Sequence, residues 1–306
     1  MYLQKIAKHF SSLLISIRPK QWSKNLIIYF ALPFSVSELW AVGDLDQLIF
    51  LMIKISAGFI IFCSISGSVY IFNDILDKKR DSHHLIKKFR PIASGSLPIP
   101  FAIVFAFLLL IFSTIAAFFI SITFAIITLS YWILMIIYSL YLKKIIFVDI
   151  LVISMGFVLR AIAGAVILQI PISPWLYVCT GLGALFIGFS KRKSEISNSN
   201  NNYENQRETL KIYSKPLLDQ LISMFACSTL MSYVLYSFLS SNLPQNHSMM
   251  LTIPFVIYGI LRYINLVYNK NLGEFPEEII LSDKPLITTI ALWIILSLSI
   301  LVIFRT

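Results

Sequence analysis

Residues 73–81 read NDILDKKRD, and this stretch decides how the rest of the chain is interpreted. The 306-residue chain carries a formal net charge of +10 and only 15 acidic residues, yet three of them fall within these nine positions. In a helix, Asn73, Asp77 and Asp81 are spaced i, i+4, i+8, and Asp74 lies on the same face. Like charges at this spacing repel each other. The stretch therefore predicts a helical face that needs a cation between its carboxylates.

The sequence around this stretch is that of a membrane protein. Hydrophobic residues make up 58% of the chain, against about half in soluble domains. A helix needs about 20 mostly apolar residues to cross a bilayer. The sequence therefore predicts an all-α integral membrane protein, one domain over 1–306, with nine transmembrane helices. The predicted spans are 24–41, 47–72, 98–118, 121–141, 146–169, 174–190, 217–240, 249–268 and 286–304.

Lysine and arginine are distributed unevenly between the predicted loops. Most of them lie on one side, in the N-terminal segment and in loops near 73–97, 142–145, 191–216 and 269–285. The opposite loops at 38–46, 170–173 and 241–248 contain none. Because short positive loops stay in the cytoplasm, the N-terminus and NDILDKKRD are predicted to face the cytoplasm from the inner (cytoplasmic) membrane. The positive charge follows from this topology and does not indicate nucleic-acid binding.

The acidic face fits a magnesium ion that is shared with a substrate. Proteins usually hold Mg²⁺ through one or two carboxylates and leave its other positions to water and substrate phosphates. Directly after the motif come Lys87, Lys88 and Arg90, and cationic groups beside an acidic metal site suit a phosphate-rich ligand. The sequence thus predicts a Mg²⁺–diphosphate site at the cytoplasmic mouth of a helical bundle, open to lipid substrates from the bilayer.

Other polar residues are expected at the same end of the bundle. Tyr138, Lys143 and Asp149 flank the turn after the fourth predicted span, and Lys24, Lys191 and Arg192 adjoin other spans. Arg160 lies eleven residues after Asp149, on nearly the same helical face, with Gly156 between them. A charged residue inside a span is a functional candidate by default, although Arg160 could also pair structurally with Asp149 or a backbone carbonyl.

These residues resemble those of a known family. NDILDKKRD fits the NDxxDxxxD motif of the UbiA superfamily of membrane prenyltransferases. Further segments resemble its decaprenyl-phosphate phosphoribosyltransferase branch: RPKQWSKN at 18–25, FRPIASG at 89–95, VLRAIAGA at 158–165, SKRKSE at 190–195 and GEFPEEIILSD at 273–283. The resemblance implies a helical bundle around a central cavity, with 5-phosphoribosyl diphosphate as donor and a polyprenyl phosphate as acceptor.

The resemblance also implies roles for the candidate residues. Asp74, Asp77 and Asp81 are expected to hold Mg²⁺ and, with Asn73, the donor diphosphate. Tyr138 and Lys143 are expected to contact the donor at the reacting end. The remaining substrate-binding candidates are Lys24, Lys87, Arg90, Asp149, Arg160, Lys191 and Arg192. Of these, Arg160, Lys191 and Arg192 could hold the phosphate of either substrate.

Two other functions remain open at this point. A UbiA-type prenyltransferase would use the same aspartates to bind a prenyl diphosphate and would prenylate an aromatic acceptor such as 4-hydroxybenzoate. Such enzymes usually carry a second DxxxD-like motif in the later cytoplasmic loop, where this chain has SKRKSEISNSN. A transporter would need polar residues at mid-membrane in paired broken helices, and only Arg160 comes close to that pattern.

Overall fold

The computed structural model describes residues 2–41, 43–83, 86–171, 173–198, 208–240, 242–270 and 272–304. Within these ranges the regular structure is helical, and no β-strand is present beyond an isolated bridge between Val36 and Trp40. The α-helices are α1 Tyr2–Ser16, α2 Leu45–Leu76, α3 Lys78–Ser82, α4 Ile99–Ile120, α5 Ile122–Leu140, α6 Val148–Leu168, α7 Pro174–Asn198, α8 Lys215–Leu239, α9 Ile253–Lys270, α10 Pro276–Ser282 and α11 Lys284–Phe304.

Seven helices in the described residues are long and apolar enough to cross a membrane. They are Leu45–Leu76, Ile99–Ile120, Ile122–Leu140, Val148–Leu168, Lys215–Leu239, Ser248–Lys270 and Lys284–Phe304. Each corresponds to one of the nine predicted spans. The predicted span 174–190 falls in α7, which is helical but continues through the polar residues to Asn198. Several predicted loops are likewise helical at their ends, because a helix can extend beyond its apolar section.

The predicted span 24–41 has a different structure. Residues Pro19–Ala31 form a 3₁₀-helix, which is unusually long because such runs rarely exceed four residues. A second short 3₁₀ turn, Pro33–Ser35, follows. Proline cannot donate a backbone hydrogen bond and clashes with the preceding turn, so Pro33 interrupts any continuous helix here.

The helices pack as a connected bundle. α2 contacts α4, α5 and α6, whereas α6 contacts α7 and the 3₁₀-helix Pro19–Ala31. α7 packs along α8, and α9 packs along α11. The largest buried cluster includes Ile55, Phe62 and Phe124 from α2 and α5. The candidate site residues lie on α2, α3, α5, α6 and α7, on the 3₁₀-helix Pro19–Ala31 and in the connecting segments.

Large apolar side chains cover much of the outer surface. On α4, Leu108, Ile111 and Phe119 are exposed, and Phe119 has 83% of its surface accessible. Water-soluble monomers rarely expose contiguous apolar patches of this kind. Together with the lengths of the apolar helices, this surface fits a multi-pass membrane protein whose outer faces contact lipid.

Candidate active site

Two carboxylates of NDILDKKRD converge on one arginine. Asp74 lies in the last turn of α2 and Asp81 lies in α3, and both side chains are almost fully buried. Arg90 Nη1 donates to Asp74 Oδ1 at 3.1 Å and to Asp81 Oδ2 at 2.6 Å. Arg18 Nη2 also donates to Asp74 Oδ1. The two carboxylates therefore share a single cationic centre at this end of the bundle.

The third carboxylate, Asp77, joins the end of α2 to the turn after α5. Lys143 Nζ donates to Asp77 Oδ1 at 2.7 Å, and Arg80 Nη2 lies 2.7 Å from Asp77 Oδ2. Lys143 belongs to the 3₁₀ turn Leu142–Lys144 and is itself buried. Separating a buried pair leaves an uncompensated charge, so this contact fixes the turn relative to α2.

Arg160 lies in α6 with neutral partners. Its Nε donates to Asn25 Oδ1 at 2.6 Å, its Nη2 to the Tyr131 hydroxyl at 2.7 Å and its Nη1 to the Gly156 carbonyl at 2.8 Å. The guanidinium carbon also lies 4.6 Å from the centre of the Tyr131 ring. Among the described residues no carboxylate lies within 4.0 Å of this cation. Arg160 is therefore a buried positive charge stabilised by dipoles and an aromatic face.

A glycine allows the 3₁₀-helix to reach Arg160. A Cβ atom on Gly164 of α6 would overlap the backbone of Ile28 in that helix. Asn25 lies one 3₁₀ turn before Ile28, so the same close approach places its amide against Arg160. Small residues have this effect generally in membrane helices, where they let backbones approach closely.

A mixed group of charges lies on the α7 and α10 side. Lys24 Nζ lies 3.5 Å from Glu277 Oε1 at the start of α10. Burial alone would raise the pKa of Glu277, but the charges of Lys24 and Lys191 hold it below its ordinary value. A Cβ atom on Gly273 would lie 3.1 Å from the Ser190 carbonyl, so the segment before α10 packs closely on α7.

Asp149 and Arg192 form a separate buried network. Arg192 Nη2 lies 3.0 Å from Asp149 Oδ2, and its Nη1 donates to Glu195 Oε2 at 2.6 Å. The Tyr213 hydroxyl donates to Asp149 Oδ1 at 3.1 Å and accepts from the Phe147 amide at 2.9 Å. Burial, together with the charge of Asp149, raises the pKa of Tyr213, which keeps its hydroxyl protonated. This network ties the turn that carries Lys143 to α7 and the segment before α8.

Comparison with known proteins assigns the family. The model of the UbiA prenyltransferase family matches residues 30–275. The chain belongs to this family. Its curated relatives include decaprenyl-phosphate phosphoribosyltransferase of Mycolicibacterium smegmatis, which is 33% identical over 93% of this chain and 90% of the relative. The protein of the same name from Corynebacterium glutamicum is 32% identical over 91% of this chain and 83% of the relative.

Solved structures show the UbiA fold. A UbiA homologue from Archaeoglobus fulgidus, described as bound to DMAPP and Mg²⁺, superposes with a TM-score of 0.72. The alignment covers 95% of this chain and 99% of that one at 16% identity. A structure reported for digeranylgeranylglyceryl phosphate synthase superposes with a TM-score of 0.65 at 15% identity. At these identities the comparison concerns the fold.

The segments that carry the UbiA resemblance meet in space. The motif at 73–81 contacts RPKQWSKN through Arg18 and FRPIASG through Arg90. Asn25 of RPKQWSKN contacts Arg160 of VLRAIAGA, and GEFPEEIILSD packs on SKRKSE. Of the other predicted site residues, Tyr138 is buried in the last turn of α5, while Asn73 and Lys87 are partly buried.

The structure separates two residues that the sequence placed on one face. Asp149 and Arg160 do share α6, but Asp149 pairs with Arg192 and Tyr213 while Arg160 contacts Asn25 and Tyr131. The structural pairing of Arg160 with Asp149 is therefore not formed. The alternative of a backbone carbonyl partner is observed, since Arg160 donates to Gly156.

Several residues that contact the candidate site were given no site role by the sequence prediction. Arg18 lies in RPKQWSKN and Glu277 lies in GEFPEEIILSD, two of the segments that resemble the family. Their place in these segments was the signal that could have identified them. Tyr131 follows no motif, and only a long-range contact with Arg160 identifies it. Tyr213 is a single aromatic residue in a polar segment, and nothing in its local sequence indicates a contact with Asp149.

The carboxylates of the 73–81 motif can be compared with the ligands that a divalent metal ion requires. Within the described ranges no group of three or more His, Cys, Asp and Glu side chains is gathered as a protein-only metal site. Mg²⁺ does not need one, because it usually takes one or two carboxylates and completes its shell with water and phosphate. Asp74 and Asp81 already converge on a single cationic atom, Arg90 Nη1. This convergence fits Mg²⁺ held jointly with a substrate diphosphate.

Proposed function

We propose that this protein is a polyprenyl-phosphate phosphoribosyltransferase. It would transfer 5-phosphoribose from 5-phosphoribosyl diphosphate to a polyprenyl phosphate of the decaprenyl-phosphate type and release diphosphate, in the synthesis of a cell-envelope polysaccharide precursor. The observation that carries the proposal is the contact of the carboxylates at 73–81 with cations from three other segments, Arg18, Arg90 and Lys143. The names of the curated relatives support the same choice of substrates.

The proposed topology follows the charge distribution. The chain would cross the inner membrane nine times, with its N-terminus and active site facing the cytoplasm around a central cavity. The donor is a cytosolic metabolite, and the acceptor phosphate lies at the membrane surface. A site at the cytoplasmic end of the bundle would therefore be accessible to both substrates.

The reaction would replace one C–O bond by another. The bond between ribose C1 and the diphosphate oxygen breaks, and an oxygen of the acceptor phosphate forms the new bond to C1. Mg²⁺ bound with the diphosphate would neutralise charge on the leaving group. Asp74, Asp77 and Asp81, with Asn73, would hold this end of the donor. The acceptor phosphate is already an anion, so no strong base is required.

Cationic side chains would stabilise the charge that develops on the diphosphate. Lys143 and Arg90 contact the aspartates and are placed to donate to phosphate oxygens of the donor as well. Tyr138, Lys87 and Arg160 would complete the donor and acceptor contacts. Asp149 and Arg192 would contribute by holding the turn that bears Lys143, since each is already paired and buried.

A transfer assay tests the proposal. Purified protein is incubated with radiolabelled 5-phosphoribosyl diphosphate, Mg²⁺ and a polyprenyl phosphate, and label in the organic phase is counted. We expect Mg²⁺-dependent label, reduced about a hundredfold or more in Asp77→Asn, because a carboxylate that would hold the Mg²⁺ bound to the leaving group is lost. Asp46→Asn, an exposed residue in the first turn of α2, is the matched control and should leave transfer unchanged. Absence of lipid-linked label from the unaltered protein would contradict the proposal.

A further inference from the structure

Lys24, Lys191 and Glu277 form a charge cluster apart from the aspartate motif. Each carboxylate of the motif contacts at least one cation, and the ion pairs of Asp77 and Asp81 are 2.6 or 2.7 Å long. In the cluster the one ion pair, between Lys24 and Glu277, is longer at 3.5 Å. Lys191 makes no ion pair or hydrogen bond with the described residues. The cluster is therefore poorly satisfied by the protein itself.

The cluster lacks negative charge to balance its two amines, and it lacks a hydrogen-bond donor for its carboxylate. It contains two amines and one carboxylate, and Glu195, whose charge also acts on Lys191, is bonded to Arg192. Burial lowers the pKa of Lys191; Glu195 opposes this effect, while Lys24 and Arg192 reinforce it. In addition, Glu277 Oε2 is buried without a hydrogen-bond donor among the described residues. A buried polar atom left without a partner costs free energy. A ligand that satisfies this cluster must bring both negative charge and a hydrogen-bond donor.

One segment of the chain, residues 18–24, connects the cluster to the aspartate motif. Arg18, which contacts Asp74, directly precedes the 3₁₀-helix that carries Lys24. A 3₁₀-helix repeats every three residues and rises about 2 Å per residue. Lys24 therefore lies roughly 12 Å farther along the segment than Arg18. The two groups of charges are placed to hold opposite ends of one small substrate.

We propose that Lys24, Lys191 and Glu277 form a second anion subsite that binds the ribose 5-phosphate end of the donor. The two amines hold the phosphate monoester, and Glu277 accepts a hydrogen bond from a ribose hydroxyl. The aspartate motif holds the diphosphate end. This inference rests on the proposed function and adds the assignment of a phosphate to each group of residues. It assigns no substrate contact to Arg192, whose side chain is 2% exposed and bridges Asp149 and Glu195.

Ligand fragments separate the two subsites without any turnover. Calorimetric titration with ribose 5-phosphate reports on the Lys24–Lys191–Glu277 cluster, and titration with Mg²⁺-diphosphate reports on the aspartates. We expect Lys191→Met and Lys24→Met to weaken ribose 5-phosphate binding about tenfold or more, since each removes a charged hydrogen bond. Binding of Mg²⁺-diphosphate should stay unchanged in both, whereas Asp77→Asn should show the reverse pattern.

Two matched variants control for charge and for folding. Lys20→Met removes an exposed cation from the same segment and should leave both titrations unchanged. Lys191→Arg retains the charge and should restore most of the affinity. Unchanged ribose 5-phosphate binding in Lys191→Met and Lys24→Met would overturn the inference. It would also be overturned if these variants raised KM only for the lipid phosphate, since the cluster would then serve the acceptor. Failure of the unaltered protein to form lipid-linked ribose phosphate would instead contradict the proposed function.

Discussion

Lys191 and Arg192 are neighbours in sequence but have different surroundings. Arg192 is 2% exposed, and its guanidinium forms ion pairs with both Asp149 and Glu195. Lys191 is partly exposed, and no carboxylate pairs with it in the described part of the chain. Adjacent positions on a helix point about 100° apart, so the neighbouring cations of SKRKSE can have different partners.

Substituting Arg192 should therefore affect stability. Among the described residues, Arg192→Met leaves the fully buried Asp149 with the Tyr213 hydroxyl as its one side-chain partner. Removing one partner of a buried ion pair costs about 3–5 kcal/mol. We expect a loss of this size in the free energy of unfolding, measured by denaturant titration in detergent. Lys191→Met is the control and should stay close to the unaltered protein. Equal stabilities of the two variants would show that the Asp149 network is not structural.

At the scale of elements, the sequence predicts apolar helices well and irregular segments poorly. The predicted span 47–72 corresponds to α2, Leu45–Leu76, because its apolar residues are continuous and no proline interrupts them. The predicted span 24–41 is equally apolar, yet it forms 3₁₀ turns around Pro33. Hydropathy reports which residues avoid water and does not report the hydrogen-bond register of the backbone.

The candidate site shows the same division between local and long-range information. NDILDKKRD indicates an acidic face because the spacing of its carboxylates is a local property. The pairing of Asp77 with Lys143 spans 66 residues, and that of Asn25 with Arg160 spans 135. Such pairings depend on how the helices pack, and a single sequence without motif knowledge does not contain that information.

Close packing of α6 on the 3₁₀-helix can be tested at one glycine. Gly164→Ala places a methyl group against the backbone of Ile28, which cannot move aside as a side chain can. Overpacking of this kind costs about 1–3 kcal/mol. We expect a lower thermal unfolding midpoint and reduced turnover, because Asn25 would shift from Arg160. Gly181→Ala is the matched control on α7, where the nearest atom to the new methyl lies at an ordinary 3.6 Å. Identical midpoints for the two variants would contradict the predicted packing.

For the whole molecule, the apolar outer surface and the one-sided distribution of cations predict how the chain lies in the membrane. A cysteine replacing Asn246, in a background without native cysteines, should react with an impermeant thiol reagent added to intact cells. A cysteine replacing the exposed Ser82 should react only after the cells are permeabilised, because short basic loops stay in the cytoplasm. Labelling of Ser82→Cys in intact cells would reverse the orientation and remove access to a cytosolic donor.

The central claim is that this UbiA-family site takes a phosphorylated sugar as its diphosphate donor. Cations outnumber the carboxylates around Asp74, Lys143 and Lys191. A prenyl diphosphate with 4-hydroxybenzoate brings fewer negative charges than 5-phosphoribosyl diphosphate with a polyprenyl phosphate, and would leave more of that positive charge unpaired. The most direct measurement is a mass-spectrometric analysis of one Mg²⁺-containing reaction that offers both substrate pairs to the purified protein. These are 5-phosphoribosyl diphosphate with a polyprenyl phosphate, and a prenyl diphosphate with 4-hydroxybenzoate. We predict 5-phosphoribosyl polyprenyl phosphate and no prenylated 4-hydroxybenzoate. Prenylated 4-hydroxybenzoate without the lipid-linked ribose phosphate would contradict the account and identify an aromatic prenyltransferase.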